Sequence, residues 1–588
     1  MSDSTQKDLV QIKELIDESK YNEALDLMKI FEEKGEYSVE DLIKCHLLKC
    51  ELLGQRGLYN EARELANQAY EKSLSLGNPL LTIDTLLSLS KTLPFLGYQD
   101  TLLKTINQIE KLLEFYPQKE SNDFMQRKAT IFALKSFLDI YSVDQQLKFR
   151  EHCLSIRKKI GSKVEIVEAY TYYINHVVAL KGEIDRALKL TEQTYNLAQE
   201  INNKFWIGFT LINFMLFYKI KGEFDKSLDY CKQSMALFEE IGNKRIIGGL
   251  LSQFGEIYRM KGDLDIALEY AKQGLSIREK TGIPVDIATA LGISIDLAVE
   301  MNEIDLAKQY LSRLKELDDR KDSQWIHIMY LSCKASILKT SPRAKNRAEA
   351  EDILKWIIEE GERGGIKSDA LIGLCDLLLI ELRMTNDIKV LDELDQYIHQ
   401  LVELSESSNS FYLLAETCLL QAKLSLITLD MNEARRFLTQ GQKIAERHGY
   451  NQLAVKLSKE HENLINQLDI WKEIKTSEVI LAERIEMAKI GEQMEGMIRN
   501  RKTLLTQIFE EKVEIHKEQK ICLVCKGQAL GFTYICDCGA IYCENCALAL
   551  SNLENICWVC DSPIDKSKPI KPYQTESPII EPRNFKKK

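Results

Sequence analysis

KGEIDRALKL from Lys181, KGEFDKSLDY from Lys221 and KGDLDIALEY from Lys261 are copies of one decapeptide set 40 residues apart. MNEIDLAKQY from Met301 keeps the step. Upstream, RGLYNEAREL carries Gly57 and LGYQDTLLKT carries Gly97, again 40 apart. SKYNEALDLM near Tyr21 reads as the first copy and DMNEARRFLT near Ala434 as the last clear one. Degenerate copies fall near Asp144, Ala348 and Asp387. A fixed period of this size marks a stacked repeat, about eleven copies long, rather than a globular domain.

One copy shows how the repeat is built. Leu251, Phe254, Gly255 and Tyr258 recur at helical spacing and form one apolar face. Gly262 ends that helix, because glycine takes a left-handed cap without steric cost. Asp263 and Asp265 favour the start of the next helix, where carboxylates suit exposed amides. Ala267 is small enough for the two helices to approach closely, and Leu268, Leu275 and Ile277 continue the second apolar face. Neither helix can bury its face alone, so neighbouring copies must stack. Proline usage agrees: only five of the ten prolines lie in the first 562 residues, which leaves that stretch free to be nearly all helix.

The pattern resembles the tetratricopeptide repeat family over roughly residues 8 to 455. The period of 40 exceeds the common 34 or so, which implies helices lengthened by about a turn. The resemblance implies an all-α superhelical solenoid over residues 1–455. It also implies a concave face, lined by the first helix of each repeat, that holds a peptide or helix of a partner protein. A structural spacer with no dedicated ligand is the other reading. Residues 456–520 form a helical connector, with apolar positions at Ile485, Ile490, Met494, Met497 and Leu504. They suit packing back on the last repeats better than a dimerising coiled coil, whose heptads are not sustained here.

The bulk properties exclude several classes. The 588 residues carry a net charge of −11 and a pI near 5.5, so nothing suggests an electrostatic nucleic-acid binder. The first residues lack the basic start and apolar run of a secretory signal. The densest apolar run, Ala370 to Leu382, is interrupted by Asp376 and is too short to span a bilayer. A soluble, cytoplasmic protein is expected, with neither membrane nor nucleic acid as partner. GERGGIKS, residues 361–368, has Ile366 where a phosphate-binding loop needs its second glycine, and reads as a turn. The histidines are dispersed and no nucleophile–base pair stands out, so no catalytic residues are assigned.

Seven cysteines (Cys45, Cys50, Cys153, Cys231, Cys333, Cys375, Cys418) sit in amphipathic helical patterns and read as small buried hydrophobes. The other eight are crowded into four pairs: Cys522 and Cys525, Cys536 and Cys538, Cys543 and Cys546, Cys557 and Cys560. A structural zinc takes four thiolates, so two ions use all eight and leave no position for a catalytic water. Metal binding would supply much of the folding energy of so small a segment.

This segment, residues 521–565, resembles a RING-type treble-clef domain. The resemblance implies that Cys522, Cys525, Cys543 and Cys546 share one zinc and that Cys536, Cys538, Cys557 and Cys560 share the other. Sequential pairing stays open. Val524 stands where the family places a contact for a ubiquitin-conjugating enzyme, and Trp558 is either a recognition residue or a packing residue. The ligands are all cysteine where the family usually includes a histidine, and four residues separate Cys538 from Cys543 where two or three are typical. Asp561 stands where active ligases often carry a basic residue, and that points away from ubiquitin transfer. CDCGAIYCENC also resembles the core of lipid-binding FYVE fingers, but Thr533, Tyr534 and Ile535 replace their basic run. The tail, residues 566–588, is proline- and lysine-rich and is expected to be disordered. Two functions follow: a non-catalytic adaptor with one partner on the solenoid and another on the zinc module, or a RING-like ubiquitin-type ligase with the repeats as substrate receptor.

Overall fold

A computed structural model describes residues 3–497 apart from short breaks, and then residues 533–536, 541–543, 556–557 and 563. The period resolves into helical hairpins. The first are α1 (Asp3–Asp17) with α2 (Tyr21–Lys34), α3 (Val39–Gln55) with α4 (Tyr59–Leu76), and α5 (Pro79–Leu96) with α6 (Gln99–Glu114). Next come α7 (Asn122–Lys135) with α8 (Val143–Ile160), α9 (Lys163–Lys181) with α10 (Ile184–Glu200), and α11 (Lys204–Ile220) with α12 (Phe224–Ile241). Then follow α13 (Lys244–Lys261) with α14 (Leu264–Thr281), α15 (Pro284–Glu300) with α16 (Ile304–Asp318), and α17 (Gln324–Lys339) with α18 (Ala344–Glu360). The series ends on α19 (Gly364–Thr385) with α20 (Ile388–Ser407), α21 (Phe411–Ile427) with α22 (Met431–Arg447), then α23 (Asn451–Asn466) and α24 (Leu481–Ala488).

Sequence repetition becomes repeated geometry. Phe214 and Tyr218 stack on Tyr230 with centroids 4.9 and 5.4 Å away. Forty residues on, Phe254 and Tyr258 stack on Tyr270 at 5.0 and 5.5 Å. Gly262 caps α13 at φ +91°, as its sequence position predicts, and in the fourth copy Asn302 takes the same left-handed turn at φ +61°. A Cβ on Gly255 would lie 3.0 Å from the Ala267 carbonyl, so the close approach of α13 and α14 is real. Asp263 occupies the N-cap position of α14 and Asp265 its first turn, as expected, but the Asp263 side chain makes no capping hydrogen bond. The acidic residue in the first turn has a different use. Asp185 pairs with Lys221 (3.1 Å) and Asp225 with Lys261 (2.8 Å), so each motif's lysine reaches the preceding motif's aspartate.

The chain divides into two compact units, the first containing Met1–Leu414 and the second containing Ala415–Arg447 and Leu453–Gln493. In the first, α3 packs on α5, α5 on α7, α9 on α11, α13 on α15 and α15 on α17. No two second helices pack comparably among the described residues. The first helices therefore line the inner side of the curve.

The curve is tight enough to bring successive superhelical turns together. Asn203 reaches the Asp17 carbonyl and Asn243 the Gln55 carbonyl, 186 and 188 residues earlier. Ile12 and Ile16 share a buried core with Val167, Ala198, Phe205 and Trp206. All seven helical cysteines are buried.

In the second unit, Lys456 bonds Gln493 (2.7 Å), and Gln493 donates to the Glu416 carbonyl (3.2 Å). Lys423 donates to the Ala488 carbonyl at 3.0 Å. The end of the described connector thus packs on α21 and α23. Ile485 and Ile490 of this unit are buried, as are Met494 and Met497, which belong to the first unit, so none of the four is an exposed coiled-coil seam; Leu504 lies outside the described residues.

Near the C-terminus, β1 (Thr533–Ile535) pairs antiparallel with β2 (Ile541–Cys543), Thr533 opposite Cys543. An isolated bridge joins Ile556 and Pro563.

Candidate functional site on the inner wall of the solenoid

Three inner helices and the residue just past a fourth each contribute one aromatic ring to a continuous string. Phe95 of α5 meets Phe137, just past α7, at 6.1 Å; Phe137 meets Tyr172 of α9 at 5.5 Å; Tyr172 meets Trp206 of α11 at 6.1 Å. Tyr59, at the start of α4, extends the string by stacking on Phe95 at 4.6 Å. Offset and edge contacts of this kind hold ring orientation as well as burying area.

Charged groups flank the rings. The Arg245 guanidinium lies 5.3 and 5.4 Å from the centroids of Tyr59 and Phe95, and a bidentate pair fixes it to Asp286 (2.6 and 3.1 Å). Because Arg245 sits on α13 and Tyr59 on α4, this cluster joins two superhelical turns. Arg157 donates to Glu168 at 2.5 Å and to the Glu165 carbonyl at 3.2 Å. Burial alone would push the Glu168 carboxyl up, but Arg157 and Lys91 outweigh it and hold the group below its usual range. Arg150 lies between Phe137 and Tyr172, at 4.4 and 4.6 Å from their centroids, and burial lowers its pKa to about 10. It still carries its charge at neutral pH.

A ladder of largely shielded ion pairs links neighbouring inner helices. Lys219 donates to Gln253 (2.7 Å) and Glu256 (2.8 Å). Arg259, 40 residues on, pairs with Glu300 at 2.5 Å, and Lys339 pairs with Asp376 at 2.5 Å. Valine holds the intervening position, Val299. Lys219 is only 2% exposed, so its pairing with Glu256 offsets the cost of burying its charge.

Of the residues singled out in the cysteine-rich segment, Cys536 and Cys557 are described, and both are buried. Cys536 directly follows β1, Cys543 closes β2, and Cys557 directly follows the bridged Ile556. Cys522, Cys525, Cys538, Cys546, Cys560, Val524 and Trp558 lie outside the described residues. The inner-wall residues went unnamed in the sequence because ring positions 59, 95, 137, 172 and 206 follow no fixed step. The lysine–arginine ladder at 219, 259 and 339 does follow the 40-residue step and was the available signal.

Residues 209–280 match the tetratricopeptide repeat family. They include the two repeats whose ring stacks have matching centroid distances. No curated protein matches the chain. Among solved structures, a Rap protein complexed with Competence and Sporulation Factor is 14% identical, covering 59% of this chain and 100% of that one, with a TM-score of 0.39. The apo quorum sensor NprR from B. thuringiensis is 15% identical, covering 62% and 99%, at 0.40. Aspartyl phosphate phosphatase F from Bacillus subtilis is 14% identical, covering 61% and 94%, at 0.35. Identity and superposition are low in all three. The helical part of the protein is a repeat solenoid, of which residues 209–280 match tetratricopeptide repeats, and no described helix is long and apolar enough to cross a membrane.

Proposed function

We propose that the protein is a non-catalytic adaptor. Its solenoid holds a peptide segment of a partner on the inner wall, and its eight-cysteine module, carrying two zinc ions, docks a second protein. The observation that carries the first half is the aromatic string along the inner wall. Phe95, Phe137 and Tyr172, only partly buried, offer a peptide stacking surfaces along its length with the buried Trp206 behind them, and the flanking cations offer orientation. The solved structures of similar fold include a Rap protein complexed with Competence and Sporulation Factor and NprR in complex with its cognate peptide NprX. The reading rests on the inner wall of this chain.

The second half rests on the cysteine spacing. The described thiols suit a metal: Cys536 and Cys557 are buried, each at the edge of a short β pairing. Cys536, Cys538, Cys557 and Cys560 would hold one ion, with Cys522, Cys525, Cys543 and Cys546 holding the other. Zinc would contribute fold and nothing reactive, since all its positions are filled by protein.

Elemental analysis of the full chain tests the zinc half: two zinc ions per chain are expected, falling to one in Cys557→Ser. A metal-free protein with folded repeats would remove it. The ligase reading keeps its own test in discharge of ubiquitin from charged conjugating enzymes by the full, zinc-loaded chain. Acceleration that Val524→Ala abolishes would replace the adaptor by a ligase. None is expected, given Asp561 after the last cysteine.

A further inference from the structure

The described end of the connector runs the wrong way for a further repeat. Arg484 meets the Ile427 carbonyl at 3.5 Å, Lys423 the Ala488 carbonyl at 3.0 Å, and Gln493 the Glu416 carbonyl at 3.2 Å. Residue numbers rise along the connector as they fall along α21, so the two are antiparallel. First helices of successive repeats run parallel instead. At the start of α21, Tyr412 meets Tyr450, just before α23, and near its end Lys423 pairs with Glu460 at 3.1 Å. Gln493 also accepts from Lys456 of α23 at 2.7 Å. Residues 484–493 therefore lie lengthwise in the groove between α21 and α23, a helix-in-groove arrangement within one chain.

The segment has the chemistry of a ligand. Ile485, Ala488, Ile490 and Gln493 are buried, while Glu483, Glu486, Lys489 and Glu492 are exposed. Lys489 takes φ +51°, a left-handed turn unfavourable for a residue with a Cβ, and α24 ends just before it at Ala488. That break frees the Ala488 carbonyl for the Lys423 ammonium, the favoured charge at the C-terminal end of a helix. The 8 residues of α24 are too few to persist as helix without the groove. The groove, by contrast, keeps its partners when the segment leaves. Lys423 retains Glu460, and the Glu416 carbonyl lies within α21 and retains its own helical bond. With the segment in place, α21 is buried without interruption from Leu413 to Ser425, so the groove is closed. None of these residues belongs to the aromatic string.

We propose that residues 481–493 are an autoinhibitory strap: they fill a groove on the last repeats that takes an amphipathic helix of a partner protein, and that helix binds by displacing them. The partner helix has the strap's chemistry. It sets two aliphatic side chains against the groove and a primary amide where Gln493 bridges α21 and α23, since that position must both donate to the Glu416 carbonyl and accept from Lys456.

Two measurements on the full chain test this. In wild type, hydrogen exchange should show the amides of residues 485–493 opening about tenfold or more faster than those of α21, as a local event below global unfolding. Exchange of both segments at one rate would make the strap a fixed part of the fold and overturn the proposal. The second measurement titrates a labelled synthetic peptide of residues 481–497 against wild type and against a full chain loosened by Ile490→Ala with Gln493→Ala. The loosened chain should bind the peptide about tenfold or more tightly than wild type, because its groove is open for a larger fraction of the time. Adding Lys456→Ala to the loosened chain should take back about three- to tenfold, through the lost bond to the peptide's glutamine. Equal affinity for wild type and the loosened chain, or no binding to either, would overturn the proposal. Should the loosened chain fail to fold, the exchange rates of wild type decide alone.

Discussion

Asn243 donates through Nδ2 to the Gln55 carbonyl at 2.9 Å, while its Oδ1 accepts from the Ile246 amide at 3.0 Å. One fully buried side chain thus caps α13 and ties it to the previous superhelical turn. Asn203, 40 residues earlier, does the same with the Asp17 carbonyl (2.7 Å) and the Trp206 amide (3.0 Å). Capping requires only an acceptor, and the tie requires a donor. Asn243→Asp should therefore keep the cap yet fail the tie, placing a carboxylate against a carbonyl. We expect a loss of about 1–3 kcal/mol by urea denaturation, at least as large as for Asn243→Ala. A fully tolerated aspartate would show that the tie contributes nothing.

Two glycines separate packing from propensity. A Cβ on Gly208 would fall 2.6 Å from the buried Phe238 ring, whereas one on Gly249 would meet only the Arg278 guanidinium at 3.8 Å. Gly208→Ala should cost about 1–3 kcal/mol through overpacking. Gly249→Ala should stabilise by about 0.5–1 kcal/mol, as expected for a helix interior. Thermal melts of the two variants check the opposite signs.

Lys219 and Glu256 form a buried pair at 2.8 Å. Lys219→Met leaves the carboxylate without its cation and should cost about 3–5 kcal/mol. Adding Glu256→Leu should recover most of that loss, because both charges are then gone. A double variant no better than the single one would show that the wall needs the charges themselves.

Glu168 sets an acid limb. Its folded pKa lies below the ordinary carboxylate value, so the unfolded chain binds the proton more readily. The stability this contributes is present at neutral pH and is lost as pH falls through the acidic range. Denaturation midpoints should decline on acidification less steeply in Glu168→Gln than in wild type. Equal slopes would assign the acid sensitivity to other carboxylates.

Much of one repeat was legible because it is written locally. The left-handed turn at Gly262 and the close approach of Gly255 and Ala267 depend on residues within one hairpin, and the period names them. The tie between Asn243 and Gln55 depends on curvature summed over several hairpins, which no single motif encodes. A trace was present all the same, since Asn203–Lys204 and Asn243–Lys244 repeat as a pair at the 40-residue step. Arg150 gave no such trace, because its repeat is among the degenerate copies. The start of α14 at Asp263 was legible, but not the use of its carboxylate. Aspartate at an N-cap is a preference of residue type, and here the side chain makes no capping bond.

The offset between turns, 186 residues at Asn203, is about four and two-thirds of a 40-residue step, so it is not a whole number of repeats. Most tandem arrays lengthen by duplicating a module anywhere along their length. Here, inserting or deleting one module between Gln55 and Asn243 would bring mismatched edges face to face. Duplication beyond the last tie would leave both ties untouched. The early modules of this chain are therefore fixed in number by their neighbours above and below, and changes in length should be tolerated only towards the far end.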